Sequence, residues 1–363
     1  MYNIKVVEVR LSNVTVGRIA LTADRHCVFE YDPDYLKTGI SIAPFYLPLR
    51  AELFTARSTP FDRNFGVFSD SLPDGWGSLL LDRYLQENGI DPYKLSTLDR
   101  LSIIGTSGRG ALEYFPDHST AIEESNVSLN KLAQEAERIL NSDYSASSID
   151  MLYRYGGSSG GARPKVFVKI DGEEWLVKFK AAIDPDNVGE VEYQYSLLAG
   201  KCGIEMPETK LFEGKYFGVR RFDRTNGNKI HTISAAGLLN ADYRIPSLDY
   251  SMLLNACFQL TLNMEEVYNL YRVMVFNILI KNRDDHAKNF SFILKDGTWR
   301  LSPAYDLLPG GGFNGYHTTT LNGKGEPGKK DIFDVADSVG LQKKKYQEIY
   351  DEISDHVSNS GFK

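Results

Sequence analysis

The chain opens with short runs in which apolar and polar residues alternate. IKVVEVR (4–10), VTVGRIAL (14–21, bending at Gly17) and CVFEY (27–31) each read as a strand. Pro44 and Pro48 break the pattern that follows. The period then lengthens. In 65–89 a loop feeds a helix: Asp74 stands at the N-cap, Leu79, Leu80, Tyr84 and Leu85 recur at helical spacing, and Gly89 stops it. GALEYFP (110–116) returns to a strand, and SLNKLAQEAERILN (128–141) is an amphipathic helix. Residues 116–127 and 141–149, rich in Ser, Asp and Asn, read as loop, and the main domain boundary is placed near them.

A Gly/Ser run, Gly156 to Ala162, starts the second part. VFVKI and EEWLVKFK flank Asp171-Gly172, a strong hairpin signal. A helix follows (188–203), then a second hairpin (208–222) turning at Gly214-Lys215. From Ser234 onward helices dominate. MEEVYNLYRVMVFNILIKN (264–282) has no polar stripe between Val273 and Ile280, which predicts a buried central helix. FSFIL and TWRL pair through Asp296-Gly297, and 341–357 is an amphipathic tail helix whose charges form a solvated face. There is no internal repeat and no low-complexity tract.

The pattern leads to an expected organisation of three parts. Residues 1–145 form a β-rich N-terminal domain with helices, 146–225 a small lobe carrying the Gly-rich loop, and 226–363 a helical lobe; one core does not suffice for 363 residues.

Composition narrows the function. The net charge of −7 argues against bulk nucleic-acid binding, which needs clustered Lys and Arg. Cys27, Cys202 and Cys257 are far apart and form no CxxC pair, so they read as buried thiols in a reducing compartment. MYNIKVVEVR has no signal-peptide core, and no window approaches the roughly 18 apolar residues of a membrane span. A cytoplasmic protein with no membrane contact is expected.

Candidate chemistry lies in four features that occur in one order. A Gly-rich loop (Ser158, Ser159, Gly160, Gly161) precedes a strand lysine (Lys178), a helix glutamate (Glu192), and an Asp-x4-Asn pair (Asp284, Asn289) followed by Asp306. Phosphoryl transfer from ATP needs these parts. Glycines let backbone approach phosphates, and a lysine neutralises them. A carboxylate holds that lysine, one Asp orients the hydroxyl nucleophile, and an Asn with a second Asp holds Mg2+. Asp284 and Asn289 have the spacing of the kinase catalytic loop. Taken singly, each part is ordinary: a linker, a solvated lysine, a surface glutamate. Asp285 competes with Asp284 for the base role; spacing favours Asp284 and leaves Asp285 to solvent. His286 reads as a residue that fixes the loop by bonding backbone, since no second His stands at ligand spacing.

These segments resemble the HipA family, the serine/threonine-kinase toxins of type II toxin–antitoxin modules. SLPDGWG (Ser71–Gly77), GALEYF, GGSSGGARPK (Gly156–Lys165), WLVKF, VEY (Val191–Tyr193), RRFDR (Arg220–Arg224), NRDDHAKNFSF (Asn282–Phe292) and LSPAYDLLP (Leu301–Pro309) carry the resemblance. It implies an α+β fold: a small β-rich N-terminal domain plus a bilobal kinase-like core with a mostly helical C-terminal lobe. It implies ATP and Mg2+, with Lys178 on the phosphates, Glu192 as its partner, Asp284 catalytic, and Asn289 and Asp306 as metal ligands. Phe222 and Asp223 fall where the lobes hinge around adenine, and Ser158 matches the autophosphorylated serine. The implied partners are a helix-turn-helix antitoxin like HipB, DNA only through that antitoxin, and a protein substrate such as an aminoacyl-tRNA synthetase or translation factor. The chain ends sooner after its last helix than family members usually do. Two other readings share the residues: a small-molecule phosphotransferase, and an inactive kinase-like co-repressor.

Overall fold

The alternating runs at the start of the chain pair with one another. In the computed structural model, which describes residues 3–120 and 128–362, they build a five-stranded antiparallel sheet. Its strands are β1 (Val6–Leu11), β2 (Val14–Leu21), β3 (Cys27–Tyr31), β4 (Phe54–Thr55) and β5 (Leu112–Phe115), in the order β4-β3-β2-β1-β5. The register slips beside Gly17, between Val9 and Arg10, where the sequence predicted a bend. By compactness the chain divides into two units. The first takes in residues 1–42, 47–190 and 210–231, and the second 43–46, 191–209 and 232–363.

The first unit holds a second sheet of β6 (Lys165–Ile170), β7 (Glu173–Lys178), β8 (Thr209–Phe212) and β9 (Tyr216–Arg220), in the order β6-β7-β9-β8. Asp171 (φ 53°) and Gly172 (φ 83°) both take the left-handed conformation that an Asp-Gly hairpin turn requires. In the second hairpin the left-handed pair is Glu213-Gly214, one residue before the predicted Gly214-Lys215. A small hairpin of β10 (Arg224–Thr225) and β11 (Asn228–Lys229) follows.

Helices α1 (Gly66–Ser69), α2 (Gly75–Glu87), α3 (Thr97–Ile104), α4 (Leu129–Leu140) and α5 (Ala146–Gly156) complete this unit. Leu80, Leu81 and Leu85 of α2, Ile139 of α4, and Ile149 and Leu152 of α5 pack with Val166, Trp175 and Val177 of the second sheet in one buried cluster. Each such side chain contributes about 1.5–3 kcal/mol of transfer free energy. Helix α5 departs from the sequence reading, which left 146–149 as loop. Ser145, just before it, is the capping residue: its hydroxyl accepts the Ser148 N–H. Ile149, Leu152 and Tyr153 already stood at i, i+3, i+4. Helix α3 also went unread, although Ser96 and Asp99 form a capping box. Of the loop read at 116–127, residues 121–127 lie outside the described residues.

In the second unit, β12 (His231–Ser234), β14 (Ser291–Lys295) and β15 (Thr298–Leu301) form a sheet in the order β12-β14-β15. A parallel pair joins β13 (Leu248–Asp249) to β16 (Thr319–Thr320). The helices are α6 (Val188–Lys201), which enters this unit at Val191, α7 (Ala235–Leu239), α8 (Tyr250–Thr261), α9 (Met264–Leu279), α10 (Lys329–Ser338) and α11 (Lys343–Asn359). Helix α9 is the buried helix its pattern predicts: Val267, Leu270, Tyr271, Met274, Val275 and Phe276 are all inside. Helix α11 buries Tyr346, Ile349 and Ile353. Its charged face is exposed as read, and two of its charges make surface ion pairs, Lys345 with Glu265 (2.7 Å) and Glu352 with Arg272 (2.7 Å).

The three cysteines are free and buried. Burial pushes the Cys27 and Cys257 thiols up to about 12 and Cys202 up to about 11, which makes them inert. Among the described residues no helix is long and apolar enough to cross a membrane.

Candidate active site

The Gly-rich loop begins where α5 ends, so Gly156 is its hinge with the helix. The sequence alone suggests a loose loop. The structure instead ties it to the SLPDGWG segment. Asp74 is the N-cap of α2 but makes no capping bond; its carboxylate accepts the N–H of Gly161. The Gly161 carbonyl in turn accepts the Trp76 N–H at 2.9 Å, and the Trp76 indole N–H reaches the Lys165 carbonyl at 3.1 Å. A Cβ on Gly77 would collide with the carbonyl of Ser159, so this backbone approach needs glycine. Ser159 is fully buried and its hydroxyl donates to the Gly156 carbonyl at 2.6 Å. Ser158 is also buried, with 9% of its surface exposed.

Lys178 ends β7, and its ammonium lies 5.6 Å from the centre of the Phe217 ring. Directly opposite it in the antiparallel register stands Lys165. Lys165 is buried, and the pairing sets two lysines side by side at the end of the hairpin. Sequence reasoning missed Lys165; the available signal was a lysine closing the Gly-rich motif, in register with Lys178 across a two-residue turn.

Phe222 and Asp223 follow β9. The Asp223 carboxylate is fully engaged: Arg221 binds it through Nε and Nη2 (2.9 and 2.7 Å), Arg224 at 2.9 Å, and the Gly110 N–H at 2.8 Å. Arg224 also donates to the Gly108 and Gly110 carbonyls, both at 2.9 Å. Burial acts to raise the Asp223 carboxyl, but the charges of Arg221 and Arg224 and the donated bonds outweigh it and hold the group far below the usual carboxylate range. The GALEYF and RRFDR motifs therefore lock each other. The Asp223 side chain is thus already used within the protein.

The remaining candidates lie in the second unit. Glu192 is buried on α6. Asp284 is exposed, in the loop after α9. The Asn289 side-chain N–H donates to the Asp284 carbonyl at 2.7 Å, which commits the amide nitrogen to the loop. His286 accepts the Lys288 N–H at 3.2 Å and fixes the loop as expected. Asp306 holds a left-handed backbone (φ 54°), and its carbonyl accepts from Asn282 at 3.0 Å. The two loops meet at Gly310, where a Cβ would stand 3.1 Å from the Asp284 Cβ.

Asn289 and Asp306 carry an amide oxygen and a carboxylate, hard donors of the kind that Mg2+ takes together with waters and phosphate oxygens. Among the described residues, no group of three or more His, Cys, Asp or Glu side chains could hold a metal ion. Asp285 overturns its reading as a solvent-facing residue. It is completely buried and accepts from Tyr250, His317, Thr318 and Thr319. A carboxylate that saturated has no acceptor position left for a substrate proton, whereas Asp284 is exposed.

The model of the HipA N-terminal domain matches residues 7–115, and that of the HipA-like C-terminal domain matches residues 157–360. Two curated proteins of Sinorhizobium fredii (strain NBRC 101917 / NGR234) are similar along most of their length. "Putative kinase Y4dM" is 25% identical over 334 residues, covering 85% of this chain and 78% of that protein. "Putative kinase Y4mE" is 28% identical over 328 residues, covering 80% and 75%. The fold is similar to that of HipA from Shewanella oneidensis MR-1, solved with HipB and its operator DNA. The TM-score is 0.72 at 18% identity, over 98% of this chain and 89% of that one. The α+β architecture expected from the sequence, a β-rich N-terminal domain before a kinase-like core, is the one observed.

Proposed function

The chain belongs to the HipA family, and from that premise we propose that it is a serine/threonine-protein kinase, the toxin of a type II toxin–antitoxin module. It transfers the γ-phosphate of ATP to a hydroxyl of a host protein and so arrests growth. The observation that carries this reading is the division of labour in the Asp284–Asn289 loop. Asp285 is buried and saturated, the Asn289 amide nitrogen is held by the Asp284 carbonyl, and Asp284 is exposed.

In this reading Asp284 orients the acceptor hydroxyl and takes its proton as the phosphoryl group leaves ATP. Lys178 and Lys165 neutralise phosphate oxygens, and Glu192 holds Lys178. The backbone at Phe222 and Asp223 contacts adenine. Asn289 and Asp306 hold Mg2+, which when bound supplies charge neutralisation on the phosphates. Residues 1–145 act as the N-terminal domain, 146–225 as the nucleotide lobe and 226–363 as the catalytic lobe. The protein works in the cytoplasm with a helix-turn-helix antitoxin, as HipA of S. oneidensis is found with HipB and operator DNA.

Transfer of labelled phosphate from ATP to protein by wild type, absent from Asp284→Ala, tests the activity. Mass spectrometry after incubation with Mg·ATP is expected to find phosphate on Ser158. Ser159 is a poor acceptor, since its hydroxyl is committed to Gly156. A phosphate on Ser158 adds roughly −1.5 to −2 charge beside the nucleotide phosphates and lowers ATP affinity. Phosphate on Ser159 alone, or undiminished ATP affinity after Ser158 is modified, counts against this switch.

The acidic chain alone is expected to bind duplex DNA weakly, with binding lost at modest salt. Salt-resistant, sequence-specific binding without a partner would reverse the assignment of DNA contact to the antitoxin.

A further inference from the structure

Asp285 is a buried carboxylate that the proposed chemistry does not use. One of its oxygens accepts from Tyr250 Oη (2.7 Å) and His317 Nδ1 (2.8 Å), the other from the N–H groups of Thr318 (2.9 Å) and Thr319 (3.1 Å). All four lone-pair positions of the carboxylate are thus occupied. Burying a charge gives no net stability over an apolar residue of the same size. Its presence calls for a reason other than stability.

The hydrogen bonds beyond it supply one. Asp285 can only accept, so Tyr250 must donate to it. The Tyr250 oxygen then accepts from Asn277 Nδ2 at 3.2 Å. The Asn277 amide oxygen accepts from Asn282 Nδ2 at 3.0 Å, and the other hydrogen of that Nδ2 goes to the carbonyl of Asp306, also at 3.0 Å. Asn277 and Asn282 are buried. The first three of these bonds all donate toward the carboxylate, so the charge of Asp285 fixes their direction; it thereby sets the Asn282 NH2 group, rather than its oxygen, at the junction, and that group's second hydrogen donates outward to the Asp306 carbonyl. Burial and the Asp285 charge both push the Tyr250 phenol well above its usual range, which keeps its proton in place. At the far end, Asp306 sits in a left-handed conformation that costs a non-glycine residue free energy and persists only when held.

We propose that Asp285 is a positioning residue: through Tyr250, Asn277 and Asn282 it holds the Asp306 loop in register with the Asp284 loop, so the two acids are placed as one unit. The inference rests on the kinase reading for its catalytic consequence, and on the hydrogen-bond chain alone for the linkage.

Hydrogen exchange on the ligand-free protein tests the linkage. Tyr250→Phe removes one hydroxyl and keeps the ring. It is expected to speed amide exchange in 282–286 and in 304–310 together, while 267–276 of α9 stays protected. Faster exchange in 282–286 with 304–310 unchanged would overturn the proposal, whether or not the wild type transfers phosphate.

Kinetics test the consequence. Asp285→Asn, which must donate where Asp285 accepts, is expected to lower kcat about 10–100-fold, since an ångström of misplacement costs on the order of 10²-fold. Tyr250→Phe and Asn282→Ala are each expected to raise the Mg2+ concentration needed for half-maximal rate. Because they interrupt one chain, the double variant is expected to match the worse single one rather than their product. Multiplicative effects, or Mg2+ dependence unchanged in both single variants, would sink it. If Asp285→Asn does not fold, the Tyr250→Phe exchange pattern decides the matter by itself.

Discussion

Asp284→Ala is expected to abolish phosphoryl transfer, by about 10²-fold or more, while the fold and Mg·ATP binding survive. Asp284 is exposed, so in the proposed reading its removal deletes a proton acceptor without emptying the core. Loss of a positioned general base costs about 10²–10⁴-fold. Asp306→Ala is expected to fail differently. In the proposed reading it removes a metal ligand, so Mg·ATP affinity falls along with the rate. Alanine also tolerates the left-handed backbone of position 306 less well than aspartate does. Nucleotide titration of the two variants, followed by single-turnover transfer, separates the effects. Near wild-type transfer by Asp284→Ala would mean that the base lies elsewhere, and the saturated Asp285 offers no replacement.

The largest expected stability effect belongs to Asp223→Ala. That carboxylate neutralises Arg221 and Arg224, whose side chains are 7% and 9% exposed. Without it two buried guanidinium groups face each other, and breaking a buried pair in this way costs about 3–5 kcal/mol. For a unit of this size each kcal/mol is worth roughly 2–4 °C in Tm, so the loss reads as about 10 °C in thermal unfolding. The pH dependence has a definite sign. The folded carboxyl lies far below its unfolded value of about 3.9, so its contribution is complete above that value and is lost as pH falls toward the folded one. Wild-type stability from this group is therefore flat from pH 5 to 8 and falls only in acid, and Asp223→Ala is expected to lose part of that acid limb. An unchanged Tm would show that Arg221 finds a sufficient partner in Glu174, 3.5 Å away.

Both expectations depend on a mixture of what the chain spells out and what folding adds. The strands of the first sheet, the Asp-Gly hairpin at 171–172 and the buried run of α9 are written in local periodicity and turn chemistry, and these need only neighbours in sequence to be legible. The ordered set of Lys178, Glu192, Asp284, Asn289 and Asp306 can be proposed from sequence for a similar reason. Phosphoryl transfer of the proposed kind calls for those residue types in that order, and one of the spacings, Asp-x4-Asn, is local to a single loop.

Helix α5 was lost because serine signals both loop and cap, and only the helix that follows says which. Asp74 looked like a helix cap, but its acceptor is spent on Gly161, a residue 87 positions away. Asp284 and Asp285 are adjacent and identical in type, and no periodicity distinguishes them. Tertiary structure gave one to solvent and buried the other under donors from Tyr250, His317, Thr318 and Thr319. Local patterns encode backbone conformation and which side faces inward. Which carboxylate finds its hydrogen-bond donors is settled by partners far along the chain, and they come within reach only when it folds.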